Sequence, residues 1–203
     1  MNTRATKFFR RSIFLAAAGV LAMALTACTG RGGGQLPPQS PVFNSPASFG
    51  FSFSCEDKGG LNPVVGQLRI ELSYTDHGSN PIGSSFSIHG IVDTLDPVLE
   101  SEFCAGQEPA PGGQLIFLGR YYLTSSAPAG FPSECPTRET TTTPLCRFEV
   151  IVQDNDGNVA PSPGDFFSIK LSSVTFLTTQ FTDPASVPYA RAGVLSQGNL
   201  TVD

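Results

Sequence analysis

Oxygen-bearing side chains crowd one short stretch of the chain. In QDNDGNVAPSPGD, residues 153–165, Asp154, Asp156 and Asn158 alternate, and Asp165 closes the run. Ca²⁺ takes several hard oxygens at about 2.3–2.6 Å, and carboxylates packed into one loop repel unless something neutralises them. The four residues fall at the first, third, fifth and twelfth positions of an EF-hand-like count. The rest of that pattern fails: Val159 stands where glycine is required, Asp165 replaces the bidentate Glu, and Pro161 and Pro163 stiffen the loop. The other reading is a hairpin turn, in which Asp and Asn cap their own backbone, Gly157 supplies positive φ and proline sets the bend. The turn is the expectation and a calcium cofactor held by Asp154, Asp156, Asn158 and Asp165 the alternative.

The histidines offer less. His77 and His89 are the two in the chain. Asp76 precedes His77 at the end of an alternating run, and a nearby serine would complete a triad on paper. No GxSxG elbow or glycine-flanked nucleophile accompanies it, and Walker A, GxGxxG and zincin patterns are missing. The pairs Asp93/Asp96 and Glu100/Glu102 read as solvated acidic loops. His89 falls on the face opposite Phe86 and Ile88. No catalysis is expected.

The cysteines say where the protein lives. Residues 1–28 read MNTRATKFFRRSIFLAAAGVLAMALTAC: a positive front of Arg4, Lys7, Arg10 and Arg11, then the short apolar run Ile13 to Leu25. The run is too short and Ala-rich for a membrane span. Leu25-Thr26-Ala27-Cys28 resembles a bacterial lipobox. Small residues suit the signal peptidase, and the Cys28 thiol takes the lipid. Residues 1–27 are then a signal peptide and Cys28 a lipidated (palmitate-bearing) first residue. Acyl chains contribute about 0.8 kcal/mol per buried CH₂, so two or three anchor stably. Residues 28–47, with TGRGGGQLPPQSPVFNSPA, lack any period and read as a flexible tether roughly 25 Å long, unless Val42 and Phe43 pack on the domain.

Cys55, Cys104, Cys135 and Cys146 remain. An even number in an exported chain argues for two disulfides. The Pro-bounded segment between Cys135 and Cys146 favours that pair, leaving Cys55 with Cys104. By loop entropy the short bridge contributes about 3 kcal/mol and the long one about 4. No CxxC or CxxH supports zinc. Charge narrows the partners further. Without the four basic residues of the signal, 8 Lys and Arg face 17 Asp and Glu, a net of −9. Nucleic acid is not an expected partner.

Residues 48–203 read as one domain built from alternation. In GQLRIELSYTD, Leu68, Ile70, Leu72 and Tyr74 share a face and Arg69, Glu71 and Ser73 the other. FGFSFSC, SSFSIHGIVDTL, CRFEVIVQD, DFFSIKLSSVTFLT and GVLSQGNLTV behave alike. GQLIFLGRYYLTS is apolar on both faces, as in a central strand. Turns such as Asp76-His77-Gly78 and Asp156-Gly157 punctuate the runs. The expectation is an all-β domain: an antiparallel β-sandwich or partly open barrel of seven to eight strands. Residues 97–113 and 124–145 are long insertions, each holding a cysteine.

The order FGFSFSC, GQLRIELSYTDHG, FSIHGIVDTL, FEVIVQDNDG…PGDFFSIKL, AGVLSQGNLTV resembles the post-COAP type of β-rich extracellular domain of secreted bacterial proteins over most of residues 48–203. The cysteine-bearing insertions and the NVAPS variant depart from it. The resemblance implies an extracellular accessory or surface module and supplies no catalytic residues. Together these readings describe a lipid-anchored protein of the bacterial cell envelope, facing outside the cytoplasm, with a structural or interaction role and a protein or glycan partner. The alternative is a ligand-binding module, for carbohydrate or another small ligand, using Tyr121, Tyr122, Tyr189 and Phe131 as platforms.

Overall fold

The computed structural model describes residues 28–57, 66–92, 113–140, 143–155, 164–175 and 181–202. Among these residues are nine strands: β1 Cys28–Leu36, β2 Ala47–Asp57, β3 Gly66–Asp76, β4 Phe86–Ile91, β5 Gln114–Leu123, β6 Cys146–Gln153, β7 Phe166–Leu171, β8 Tyr189–Val194 and β9 Gln197–Val202. Among the described residues the helical content is one 3₁₀ turn, Pro184–Ser186. All nine strands belong to one sheet, ordered β8-β7-β6-β5-β4-β3-β2-β1-β9, with antiparallel neighbours.

The expected all-β antiparallel class is therefore present, with two differences. The described residues hold nine strands rather than seven or eight, and these form one curled sheet, a half-barrel, rather than two stacked ones. The alternating pattern explains the curl. Phe49, Phe51 and Phe53 of β2, Ile70, Leu72 and Tyr74 of β3, Phe117 and Tyr121 of β5, and Phe167, Ile169 and Leu171 of β7 are all buried. They fill a single interior. Phe49 of β2 stacks on Phe167 of β7 with centroids 3.7 Å apart, and Phe51 meets Phe117 of β5 at 5.5 Å. Strands well separated in the sheet order touch in this way only if the sheet wraps around them.

The tether is the largest correction. Residues 28–36 are β1, an interior strand between β2 and β9, and Phe43 is buried while Val42 stays exposed. Glycine hid the strand. A Cβ on Gly30 would lie 2.5 Å from Leu115 Cδ2, so the space a side chain would fill belongs to rings and methyls of other strands. The inward positions carry no apolar signal because neighbours occupy their volume.

Closure falls to the last two strands. Leu195 and Ser196 alone separate β8 from β9, yet β8 pairs with β7 and β9 with β1, the opposite ends of the order. One bent segment thus draws both edges together. Leu195 N–H donates to Asp165 O at 2.8 Å on one side, and Ser196 N–H to Gln35 O at 2.9 Å on the other. Gln39 Nε2 donates to Ala192 O at 2.6 Å, covering part of the edge of β8.

A buried polar cluster braces the end of the sheet near this seam. Arg191 of β8 and Asp76 of β3, both fully buried, pair at 2.9 Å. Tyr189 Oη donates to Asp76 Oδ2 at 2.7 Å and is also bonded to Tyr74 Oη. Arg191 Nη2 donates to Pro37 O and Ser45 O at 2.9 and 2.8 Å, and its guanidinium lies 4.6 Å from the Phe43 ring centre. One cation thereby fastens the 37–46 segment across the interior.

Two outcomes follow from this packing. Arg191→Met leaves Asp76 buried without its cation and is expected to cost about 3–5 kcal/mol. Adding Asp76→Asn should recover part of that loss in urea denaturation, and a double variant no more stable than the single would discount the ion pair. Burial also pushes the phenols of Tyr74, Tyr121 and Tyr189 well above their ordinary range. The unfolded chain releases these protons first, near pH 10, so stability must fall as pH rises beyond about 10. Phenolate absorbance should therefore show Tyr122 ionising in the folded protein and the other three only together with unfolding.

Candidate functional site

Of the four oxygen-bearing residues of the 153–165 stretch, Asp154 and Asp165 are among the described residues. Asp165 precedes β7 and is buried. Its Oδ1 accepts Asn155 N–H at 3.0 Å and its Oδ2 accepts Leu200 N–H at 2.7 Å. Asn155 Nδ2 donates to Gly164 O at 2.9 Å. The side chain thus clamps the β6–β7 connection and the open edge of β9, work that a backbone strand would otherwise do. Both oxygens are committed to the fold. Asp154 adjoins the end of β6, where its N–H donates to Gly113 O at 3.0 Å. Asp156 and Asn158 lie outside the described residues, and among those described no group of His, Cys, Asp or Glu is placed to hold a metal.

The histidine reading is half met. Ser48 Oγ of β2 lies 2.8 Å from His77 Nε2. Asp76, the carboxylate beside His77 in sequence, points to the opposite face and is held by Tyr189 and Arg191. Adjacent residues on a strand diverge in this way, so the Ser–His contact lacks its orienting acid. His89 lies on the outer face, as alternation predicts, with Nε2 3.1 Å from Glu71 Oε2 and its ring 5.4 Å from that of Tyr122.

Of the aromatic platforms, Tyr121 and Tyr189 are fully buried, and Phe131 packs edge-on against Tyr121. Tyr121 Oη donates to Ser172 O at 2.8 Å beside the Cys135–Cys146 disulfide. That bridge pins the 124–145 insertion into the interior, with both cysteines buried. Cys104 lies outside the described residues. Cys55 sits opposite Cys28 in the β1–β2 ladder.

Tyr122 alone of the four faces outward, and it borders the feature that alternation could not reveal. A cleft of about 550 Å³ opens on the outer face of β2, β3 and β4, lined by Ser52, Ser54, Arg69, Glu71, Ile91 and Glu139. Partial burial, then Glu139 and Glu71, hold the Tyr122 phenol above its ordinary value. Carboxylates, a guanidinium and hydroxyls converge there beside a ring. The residues come from three strands and an insertion. The available sequence signal was only their outward register on β2, β3 and β4.

No family model, no curated protein and no solved structure matches the chain.

The clamp has a direct consequence. Asp165→Asn replaces one acceptor by a donor that meets a buried N–H, with an expected loss of about 1–3 kcal/mol. Hydrogen exchange should locate the damage at the Asn155 and Leu200 amides. Unchanged protection at both would mean that the carboxylate is not what holds the seam.

Proposed function

We infer that the protein is a lipid-anchored component of the bacterial cell envelope with a structural or interaction role and no catalytic activity of its own, an extracellular module of the post-COAP type. The basic front, short apolar run and Leu25-Thr26-Ala27-Cys28 carry this reading, because a cysteine ending such a run offers the thiol that lipid modification needs. The fold is compatible with it: core-facing rings fill the interior of the curled sheet, and Tyr121 and Tyr189 serve packing rather than display. Metabolic labelling with a palmitate analogue should mark the full chain and leave Cys28→Ser unmarked and released from membranes. Equal labelling of both, or of neither, would remove the anchor.

The outer-face cleft favours a second reading, an extracytoplasmic binding module for a neutral polyhydroxy ligand. Its carboxylates accept from hydroxyls, Arg69 donates, and Tyr122 offers a ring face. A Ca²⁺-assisted form would draw on the 154–165 connection. Glycan binding lost in Glu71→Gln and Tyr122→Ala, with unfolding unchanged, would support it; binding indifferent to both would end it.

A further inference from the structure

The strand glycines fall into two kinds, and packing explains only one. A Cβ on Gly30 would lie 2.5 Å from Leu115 Cδ2, and one on Gly32 would lie 2.5 Å from Asn199 O. Their volume belongs to neighbouring strands. Gly50 differs. It stands between the buried rings Phe49 and Phe51 in the middle of β2, so its Cβ direction is outward. Among the described residues a Cβ there would meet only Gly32 O, at 3.9 Å. A glycine inside a strand weakens it and packs nothing, and it often marks where a ligand or another backbone comes close. The described chain makes no use of the space over Gly50.

The register shows what surrounds that space. Successive pairings carry one row across six strands: Asn199, Gly33, Gly50, Ser73, His89 and Tyr122. Buried residues flank them in sequence, such as Leu72 and Tyr74 around Ser73, so the row lies on the outer face. Its middle is two glycines and a serine. The imidazole and the phenol ring close one end, with centres 5.4 Å apart. The rows on either side carry side chains throughout: Arg31, Ser52 and Glu71 on one, Gln35, Ser48 and Thr75 on the other. The result is a furrow running across the strands, about 24 Å long for five inter-strand steps. Ser52 and Glu71 form its wall and also line the cleft, so furrow and cleft share an edge.

The chemistry of the furrow selects its occupant. Its walls offer hydroxyls and carboxamides, with one guanidinium and one carboxylate that balance each other. Several hydroxyls are held in place: Thr75 Oγ1 and Ser87 Oγ lie 2.9 Å apart, and Ser48 Oγ lies 2.8 Å from His77 Nε2. Such a set exchanges hydrogen bonds with other hydroxyls and shows no preference for charge. A peptide gains nothing by adding as a strand here, because the furrow crosses interior strands whose backbone is already paired on both sides.

We propose that the furrow holds a linear, uncharged glycan chain laid across the strands, with a sugar unit against the rings at its His89–Tyr122 end. This rests on the binding-module reading and extends the cleft into a site for a polymer.

The test applies the full chain to an array of neutral and acidic linear oligosaccharides, each as disaccharide and hexasaccharide. A neutral hexasaccharide should bind about tenfold more tightly than its disaccharide, and Gly50→Val should remove that margin. The valine enters open space and suits a strand, so the urea midpoint should hold or rise. Ser73→Gln, in the same row and exposed, should act as Gly50→Val does should that variant fold poorly. Equal affinity for both lengths, indifferent to Gly50→Val yet lost in Glu71→Gln, overturns the furrow and leaves the cleft standing. Binding to no neutral glycan overturns both. Tighter binding of acidic chains, or a Gly50→Val effect confined to self-association in sedimentation, overturns the furrow as a neutral glycan site.

Discussion

Closure of a single sheet on itself is the constraint that organises this molecule. A curled sheet has two edges, each a row of backbone groups needing partners. Here the edges are reconciled by one bent segment, residues 189–202, that serves β7 with its first half and β1 with its second. Each half leaves one side uncovered, and side chains finish the job. Asp165 accepts the Leu200 amide, and Gln39 reaches Ala192. The rings inside can be large because the wall around them is held shut by polar groups at the seam.

The same logic explains where charge is tolerated inside. Asp76 and Arg191 lie 115 residues apart and meet in the core. Each follows a core tyrosine by two positions, in Tyr74-x-Asp76 and Tyr189-x-Arg191. Two inward registers thus end in opposite charges, and the phenols supply the hydrogen bonds that such a buried pair requires.

Legibility tracked side-chain content. β3 is written plainly in LRIEL, and the apolar run of β5 marks a strand near the middle of the sheet. β1 was illegible because most of it is glycine: the volume beside Gly30 belongs to Leu115 and Phe51, and that beside Gly32 and Gly34 to residues 195–200. β8 was obscured because a buried arginine occupies an inward place in its pattern. The Cys135–Cys146 link was readable from its Pro-bounded loop. The outer cleft was not, since Ser52, Arg69 and Glu139 become neighbours only through the curl and the folded-back insertion. The buried role of Asp165 was also illegible, since its partners, the Asn155 and Leu200 amides, are met only at the seam.

The pairing of Gly30 with Val202 has a temporal meaning. The edge of β1 that faces β9 cannot be covered until the chain has been made out to residue 202, so until then β1 has a partner on one side only. Contacts this distant in sequence form slowly. On the anchor reading, that delay is an opportunity: the peptide bond before Cys28 must lie open to a peptidase, and Cys28 itself is paired with Cys55 of β2 in the finished sheet. Modification and cleavage then belong before folding, and the last strand acts as the latch that ends the period in which the leader can be removed.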